Sequence, residues 1–314
     1  MADVIRLDNV TKRFGSQLAL DRVSLDVPAG SVFALLGENG AGKSTAIKLM
    51  LGLIEPDAGR AEVMGLDSAR QGVEVRRRIG YVAERPTLYE WMTVHEIGWF
   101  AAGFYGGAYL PNYLKLTEQF QLPAAKKLAD LSKGMRAKVA LALAMGHDPE
   151  LLILDEPTSG LDTLVRREFL ESMVERAASG KTVFLSSHQI GEVERVADIV
   201  AILRGGELIV VERLEKLKAE VQELTITLRE PGLEPPIIAG ELLRQRRRSR
   251  QWQLLVRRAS EASLTALQEH PGVEEVERRT PSLEEIFVAY MKHNRSSDEP
   301  TAGTRADVGQ ATQR

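Results

Sequence analysis

Apolar positions follow two rhythms along the chain, and each change of rhythm marks an element. Val4, Ile5 and Leu7 are followed by Ala19 and Leu20, and Val23, Leu25 and Val27 then alternate with Ser24 and Asp26. A period of two is that of half-buried strands, and antiparallel pairing fits this region best. Pro28, Ala29 and Gly30 turn the chain into residues 32–36, which are apolar without interruption, as in a strand covered on both faces. Over 44–53, Ile47, Met50 and Leu51 share one face at helical spacing and Gly52 closes the run near Pro56, which predicts a helix. A short strand near 61–64, a charged surface segment over 73–78 and a buried strand over 79–82 follow.

From Pro86 to Pro149 the spacing turns helical. Thr93 precedes an apolar stretch with Glu96 three positions on, the spacing of a capping box, and residues 135–145 are rich in Ala and Leu. This block, about 86–149, reads as a helical insertion. Beyond it, apolar runs at 151–154 and 183–185 flank an amphipathic stretch at 163–178, a βαβ arrangement that predicts a parallel sheet. A strand at 200–203 ends in a turn at 204–206.

Past Val211 the composition shifts to a charged segment at 212–223, a strand-like run at 224–228 and the prolines Pro231, Pro235 and Pro236. Strands at 252–256 and 273–276 and helices at 263–269 and 282–292 complete a small second domain, expected over 213–293 after a first domain over 1–212. Residues 294–314 have almost no apolar content and are expected to be disordered.

Composition narrows the function classes. With 44% hydrophobic and 27% charged residues in 314, the chain is globular and long enough for one large domain and one small one. A net charge of −3 provides no global field for nucleic acid, and no nucleic-acid partner is expected. The absence of cysteine excludes disulfides, thiolate zinc sites and a cysteine nucleophile, and it fits a cytoplasmic location. The opening residues mix charges with apolar positions, unlike a secretory signal. No run reaches the ~18 apolar residues of a membrane span. Residues 97–110 come nearest and are short and glycine-rich, so any membrane role is expected to come through a partner.

Two motifs carry chemistry. Gly37-Glu38-Asn39-Gly40-Ala41-Gly42-Lys43-Ser44 matches the P-loop pattern and lies between a predicted strand and a predicted helix, as its mechanism requires. Glycines let backbone N–H groups turn inward around a polyphosphate, the helix start presents its positive dipole end, and the Lys43 ammonium neutralises phosphate oxygens. Ser44 is then placed to ligate Mg²⁺. Leu151-Leu152-Ile153-Leu154-Asp155-Glu156 delivers two acids at the end of a buried strand. Asp155 is expected to bind Mg²⁺ through water, and Glu156, projecting differently, to act as general base on the attacking water.

These motifs together resemble the nucleotide-binding subunit of an ABC transporter over about residues 1–212. Leu131-Ser132-Lys133-Gly134-Met135 stands where that family carries its signature, Ser159-Gly160-Leu161-Asp162 is similar to its D-loop, and Ser187-His188 to its switch histidine. The resemblance implies an α/β fold: a P-loop NTPase (RecA-like) core with an antiparallel β subdomain, a helical signature subdomain and a small C-terminal α+β domain. It also implies ATP and Mg²⁺ as cofactors and a head-to-tail dimer, with an identical or homologous second ATPase subunit. Gly37 to Ser44 and Thr45 hold the nucleotide in such a dimer, while Ser132, Lys133, Gly134 and Asp162 reach it from the partner. His188 meets the γ-phosphate and Phe14 stacks on adenine. Membrane-spanning permease subunits on other chains are implied as partners, with this chain on the inner face of the membrane.

The sequence departs from the family pattern at two charged positions. Glu84 stands where most members carry the Q-loop glutamine and is kept as a Mg²⁺ contact. Lys133 and Met135 replace a glycine and a glutamine of the signature, and Lys133 is expected to add positive charge near the nucleotide of the second subunit. The aromatics Tyr89, Trp91, Trp99, Phe100, Phe104, Tyr105 and Tyr109, with Met92, either pack the insertion's own core or form part of a groove for a coupling helix of a permease. The C-terminal block and residues 280–287 resemble the accessory domain of exporter-type members, which favours export over import. Residues 244–250 (RQRRRSR) read as a solvated hairpin or loop, with anionic lipid or nucleic acid as the alternative contact. His95, His147, His270 and His293 show no metal-ligand spacing. The rival readings are a soluble ABC ATPase acting on ribosomes or DNA, disfavoured by a single P-loop and no sustained heptads, and a regulatory protein that binds ATP without turnover.

Overall fold

The computed structural model describes residues 3–292; His293 and the segment 294–314 expected to be disordered lie outside the described residues. Two compact units divide between Ala219 and Glu220. The first begins with the long antiparallel pair Asp3–Phe14 (β1) and Gln17–Pro28 (β2), then Val32–Leu36 (β3), Lys43–Met50 (α1), Ala58–Val63 (β4), Leu66–Asp67 (β5), Gly72–Arg78 (α2) and Ile79–Val82 (β6). The segment at 73–78 is thus a short helix, of which Val75 alone is buried.

Val94–Tyr105 (α3), Tyr109–Gln119 (α4) and Lys133–Met145 (α5) form the helical block. Leu151–Asp155 (β7), Thr163–Ala178 (α6), Thr182–Ser187 (β8), Ile190–Val196 (α7), Ile199–Arg204 (β9), Glu207–Arg213 (β10) and Leu214–Glu220 (α8) complete the unit and lead across its boundary. The strands make a four-stranded sheet ordered β2-β1-β4-β5 and a six-stranded sheet ordered β10-β9-β3-β8-β7-β6, in which all neighbours but β10 and β9 are parallel.

The strands β3, β7 and β8 are buried along their whole length, which is why their sequences lack alternation. Phe33 and Phe184 stack at 5.6 Å between ring centroids on one face of the pair β3 and β8. One continuous core joins that face to α1 and to the inner residues of β1 and β2, among them Ile5, Leu7, Val10, Leu20 and Val23. Each fully buried side chain of this size contributes roughly 1.5–3 kcal/mol relative to exposure.

The helical block has its own core around Tyr109 and Tyr113. Both phenol rings are buried, and their hydroxyls donate to Leu143 O at 2.8 Å and Val94 O at 2.7 Å. Burial raises both hydroxyls above their ordinary pKa, so they remain donors. Tyr105 stacks on Tyr109 at 5.0 Å and on His147 at 4.3 Å. His147 has one ring nitrogen 3.2 Å from Ile79 O and is held by burial below its ordinary pKa. The α3 helix starts on the expected box: Thr93 accepts from the Glu96 N–H and Glu96 from the Thr93 N–H.

The second unit is an antiparallel sheet ordered β12-β13-β11-β14, built from Val221–Leu228 (β11), Glu241–Arg248 (β12), Gln251–Arg257 (β13) and Val273–Arg279 (β14), with helices Glu261–Glu269 (α9) and Leu283–Lys292 (α10). Leu224, Ile226, Trp252, Leu254 and Val256 face Leu264 and Leu267 of α9 in its core. The basic run 244–250 forms the hairpin between β12 and β13; Arg244 pairs with Glu223, Arg250 with Glu274, and Arg247 lies over Trp252.

At the start of α10, Ser282 and Glu285 form a reciprocal cap, and Arg279 donates to both Glu285 oxygens. The Arg279 guanidinium, helped by the Ser282 N–H, lowers the Glu285 carboxyl from 4.5 to about 2. A depressed carboxyl stabilises the fold above its unfolded pKa and loses that contribution as pH falls through the folded value. Glu285→Gln is therefore expected to lower stability at pH 7 by up to about 1 kcal/mol, the modest worth of a solvent-screened pair. Urea unfolding at pH 7 and near pH 2 checks it: the gap between parent and variant should shrink toward zero at the acid end.

Candidate functional site

Three strand ends converge at the site. β3 runs into the glycine-rich loop, β7 ends at Asp155 beside Glu156, and β8 ends just before His188. In open α/β sheets the carboxyl ends of parallel strands are where ligands bind. Gly42, the residue before α1, has φ 111°, and a Cβ there would stand 2.8 Å from Leu20 Cδ2. The tight entry into α1 thus requires glycine. No side chain caps this helix, so its first N–H groups are left for an acceptor from outside the helix.

Lys43 is 6% exposed, and a buried ammonium needs close partners. Its Nζ donates to Gly37 O at 2.8 Å, reaches Glu38 O at 3.4 Å, and lies 3.1 Å from Glu156 Oε1. The last contact is an ion pair, and Oε1 is buried with no hydrogen-bond partner besides it. Glu156 itself adopts a left-handed φ of 47°, uncommon for a non-glycine residue. That turn is held by its N–H, which donates to Ser186 O at 3.1 Å. The other oxygen, Oε2, accepts from the His188 N–H at 3.2 Å and is 2.7 Å from His188 Nδ1.

A cavity of about 720 Å³ lies over this set, within the usual range for a small-molecule site. Its walls include Phe14, Glu38, Asn39, Gly40, Ala41, Gly42, Lys43, Ser44, Thr45, Glu84, Glu156 and His188. Phe14 is half exposed, with Lys12 Nζ 5.6 Å from its ring centroid, and is not a core residue. Gly37 stands behind the wall and contributes its carbonyl to Lys43.

Other expected site residues lie elsewhere. Asp155 is 6% exposed, and its carboxylate accepts from Ser186 Oγ at 2.6 Å. Asp162 caps α6, accepting from the Leu164 and Val165 N–H groups. Ser132 caps α5, and Gly134 is buried against Val165. The Lys133 ammonium stands where a Cβ on Gly160 of the same chain would be. Gln17, Ala19 and Ser159 also line the cavity, and no periodicity marks them. Ser186 could have been suspected, since Ser186 and Ser187 are polar residues that follow the apolar run 183–185.

These residues fit a magnesium-bound nucleoside triphosphate. An uncapped helix start, a buried ammonium and a carboxylate oxygen lacking a hydrogen bond suit phosphate and water. Among the described residues no three His, Asp or Glu side chains gather into a protein-only metal cage. Magnesium ordinarily takes one or two carboxylates together with phosphate oxygens and water, so Ser44, Asp155 and Glu84 suit it only beside a phosphate.

A second concavity, of about 500 Å³, is apolar. Tyr81, Phe100, Phe104, Tyr105 and Leu143 contribute to its walls, and Phe104 is 71% exposed. The aromatic cluster therefore divides: Met92 and Tyr109 are buried, Tyr89 and Tyr105 lie at the groove, and Trp91 and Trp99 are exposed. Burial, with a smaller effect from the Asp155 charge, raises the Tyr81 hydroxyl to about 12.

The loop geometry predicts unequal costs for two glycines. Gly42→Ala combines a disfavoured φ with a collision and should cost about 2–4 kcal/mol. Gly40→Ala, at φ 81° with open space around it, should cost about 1 kcal/mol. Chemical unfolding of both variants beside the parent measures the difference.

Comparison with known proteins agrees with this geometry. The family model described as ABC transporter matches residues 20–159. The chain is 39% identical over 225 residues to the probable multidrug ABC transporter ATP-binding protein YbhF of Escherichia coli (strain K12), a match covering 69% of this chain and 38% of that relative. It thus spans well under half of that protein's length. It is 33% identical over 303 residues to the daunorubicin resistance ATP-binding protein DrrA3 of Streptomyces coeruleorubidus, covering 92% of this chain and 96% of the relative. Among solved structures, the dimeric post-hydrolysis state of the ATP-binding cassette MJ0796 bound to ADP and Pi superposes with a TM-score of 0.60 at 26% identity, over 67% of this chain and 98% of that one. The fold, the loop and the relatives agree: the chain belongs to the family of ABC transporter ATP-binding proteins.

Proposed function

We propose that this chain is the Mg²⁺-dependent, ATP-hydrolysing subunit of an exporter and drives substrate across a membrane through separate permease subunits. The observation that carries it is the buried Lys43–Glu156 ion pair beneath the P-loop cavity, with the exposed His188 held against Glu156. Family relatives named for multidrug and daunorubicin resistance support the direction of transport. No described helix is long and apolar enough to cross a membrane. The site is assigned to the cytoplasmic side, with the chain peripheral on the inner face of the membrane.

The P-loop residues from Gly37 to Thr45 bind the phosphates and Phe14 stacks on the adenine. Ser44, Asp155 and Glu84 would hold Mg²⁺, which when bound would supply neutralisation of the phosphate charge. Lys43 adds a fixed ammonium on the same oxygens. Glu156 takes the proton of the attacking water onto a carboxylate oxygen. His188 orients Glu156 through Nδ1–H; in that tautomer the neutral ring has only an acceptor at Nε2. Donation from Nε2 to a phosphate oxygen then requires the imidazolium or release of Glu156.

A second copy or a homologue completes the site, with Ser132, Gly134 and Asp162 reaching across; the dimeric MJ0796 cassette supports this. The first domain is taken as 1–212 with the helical insertion at about 86–149, and 213–293 as an accessory domain. The apolar groove beside Tyr81 and Phe104 receives a segment of the permease.

Glu156→Gln should reduce steady-state ATP turnover by about 10²–10⁴-fold, the usual worth of a general base. The variant should keep ATP binding and accumulate an ATP-dependent dimer in light scattering; unchanged turnover would remove Glu156 from the proposed role. Phe104→Asp should leave ATP binding by the isolated chain within about twofold, because a substitution outside the cavity and away from its partners is close to neutral there. It should lower the fraction of the chain that sediments with membranes of its native host by about tenfold, as loss of an aromatic anchor does. A membrane-bound fraction equal to the parent's removes the groove as the docking site.

A further inference from the structure

Glu84 and Lys133, the two charged departures from the family pattern, carry opposite signs and share a wall. A third cavity, of about 270 Å³, is lined by Glu84, Arg85, Lys133, Arg136 and Ser159. Glu84 and Ser159 also line the P-loop cavity, so they form the partition between the two spaces. Lys133 stands on the far side of that partition. Its ammonium is folded against Gly160, one residue past Ser159 in the same chain. Arg136 is already engaged, donating to Glu90 Oε1 at 2.8 Å and Leu128 O at 3.3 Å. Arg85 is exposed and follows Glu84 directly in the chain.

With no Mg²⁺ beside it, a carboxylate facing a triphosphate repels it, whereas a neutral amide does not. A cation behind that carboxylate offsets the repulsion without touching the nucleotide. The geometry points to Lys133 as the counter-charge of Glu84 within one chain: a positioning residue that tunes the ATP site in cis. This differs from reaching the nucleotide of a second subunit, and it rests on the ATP-site reading above. Both side chains are exposed, so the effect is modest and falls as salt screens it.

The test measures equilibrium binding of ATP without Mg²⁺, so that no metal contact of Glu84 enters, at a protein concentration where scattering shows monomer. The proteins are the parent, Lys133→Met, Lys133→Arg, Arg85→Met, Glu84→Gln and the Glu84→Gln/Lys133→Met double variant. Lys133→Met should weaken binding about threefold at low ionic strength, a size set by an exposed charge pair. Lys133→Arg should bind like the parent. In the Glu84→Gln background the same Met substitution should have no effect, and in about 0.5 M salt the threefold loss should vanish.

The inference is overturned if the loss persists without the Glu84 charge, since Lys133 then acts on the nucleotide or the fold. It is overturned if monomer binding is unchanged and only ATP-driven dimerisation suffers, the signature of action in trans. It is also overturned if Arg85→Met produces the loss and Lys133→Met is silent. A parent that binds no ATP sinks the ATP-site reading and this inference with it, a result distinct from variants that bind alike.

Discussion

A buried ammonium organises the site. Lys43 is withdrawn from water, and the cost of that is met only by carbonyl oxygens of its own loop and a carboxylate from another strand. Gly37, which offers its carbonyl, passes so close to the Leu203 carbonyl that a Cβ would stand 2.7 Å from its oxygen. Glu156 reaches Lys43 because β7 ends two strands from β3, with β8 between them, and because its own backbone turns left-handed. Ser186, at the end of the intervening strand, holds that turn and the neighbouring Asp155 carboxylate together. The strand order is thus tied to the chemistry, since another order would leave the charge without its partner.

The helical block depends on a different device. Tyr105, Tyr109, Tyr113 and His147 stack in a column whose buried hydroxyls are satisfied by backbone carbonyls of α5 and α3. Rings at one end of the column are core and rings at the other line a groove. A single set of aromatics can therefore both rigidify the block and present a docking surface, because Tyr113 is fully buried whereas Tyr105 is exposed at the groove.

Much of this was legible from residue order. The uninterrupted apolar runs at 32–36, 151–154 and 183–185 read as strands covered on both faces, and they are buried along their length. The capping box at Thr93 and Glu96 formed as its spacing required. What pattern could not reveal depends on contacts distant in sequence. Nothing local shows that Asp162 caps α6, which it does by accepting from the Leu164 and Val165 N–H groups. The charged stretch at 73–78 lacked a long apolar stripe, and the helix there is tied down by buried Val75 and by Arg76 donating to the Leu51 and Gly52 carbonyls. Nothing local shows that the Lys133 ammonium folds against Gly160, 27 positions away in sequence. The left-handed Glu156 also carries no sequence signal, since the residue type is not one that favours that conformation.

The central claim is that the loop, Lys43 and Glu156 form the phosphate end of a nucleotide site. Calorimetric titration of the full chain with ATP, ADP and adenosine, each with Mg²⁺, tests it most directly. The account predicts affinity that rises with each added phosphate and falls away for adenosine. Equal affinity for adenosine and ATP, or binding of neither ATP nor ADP, would contradict it.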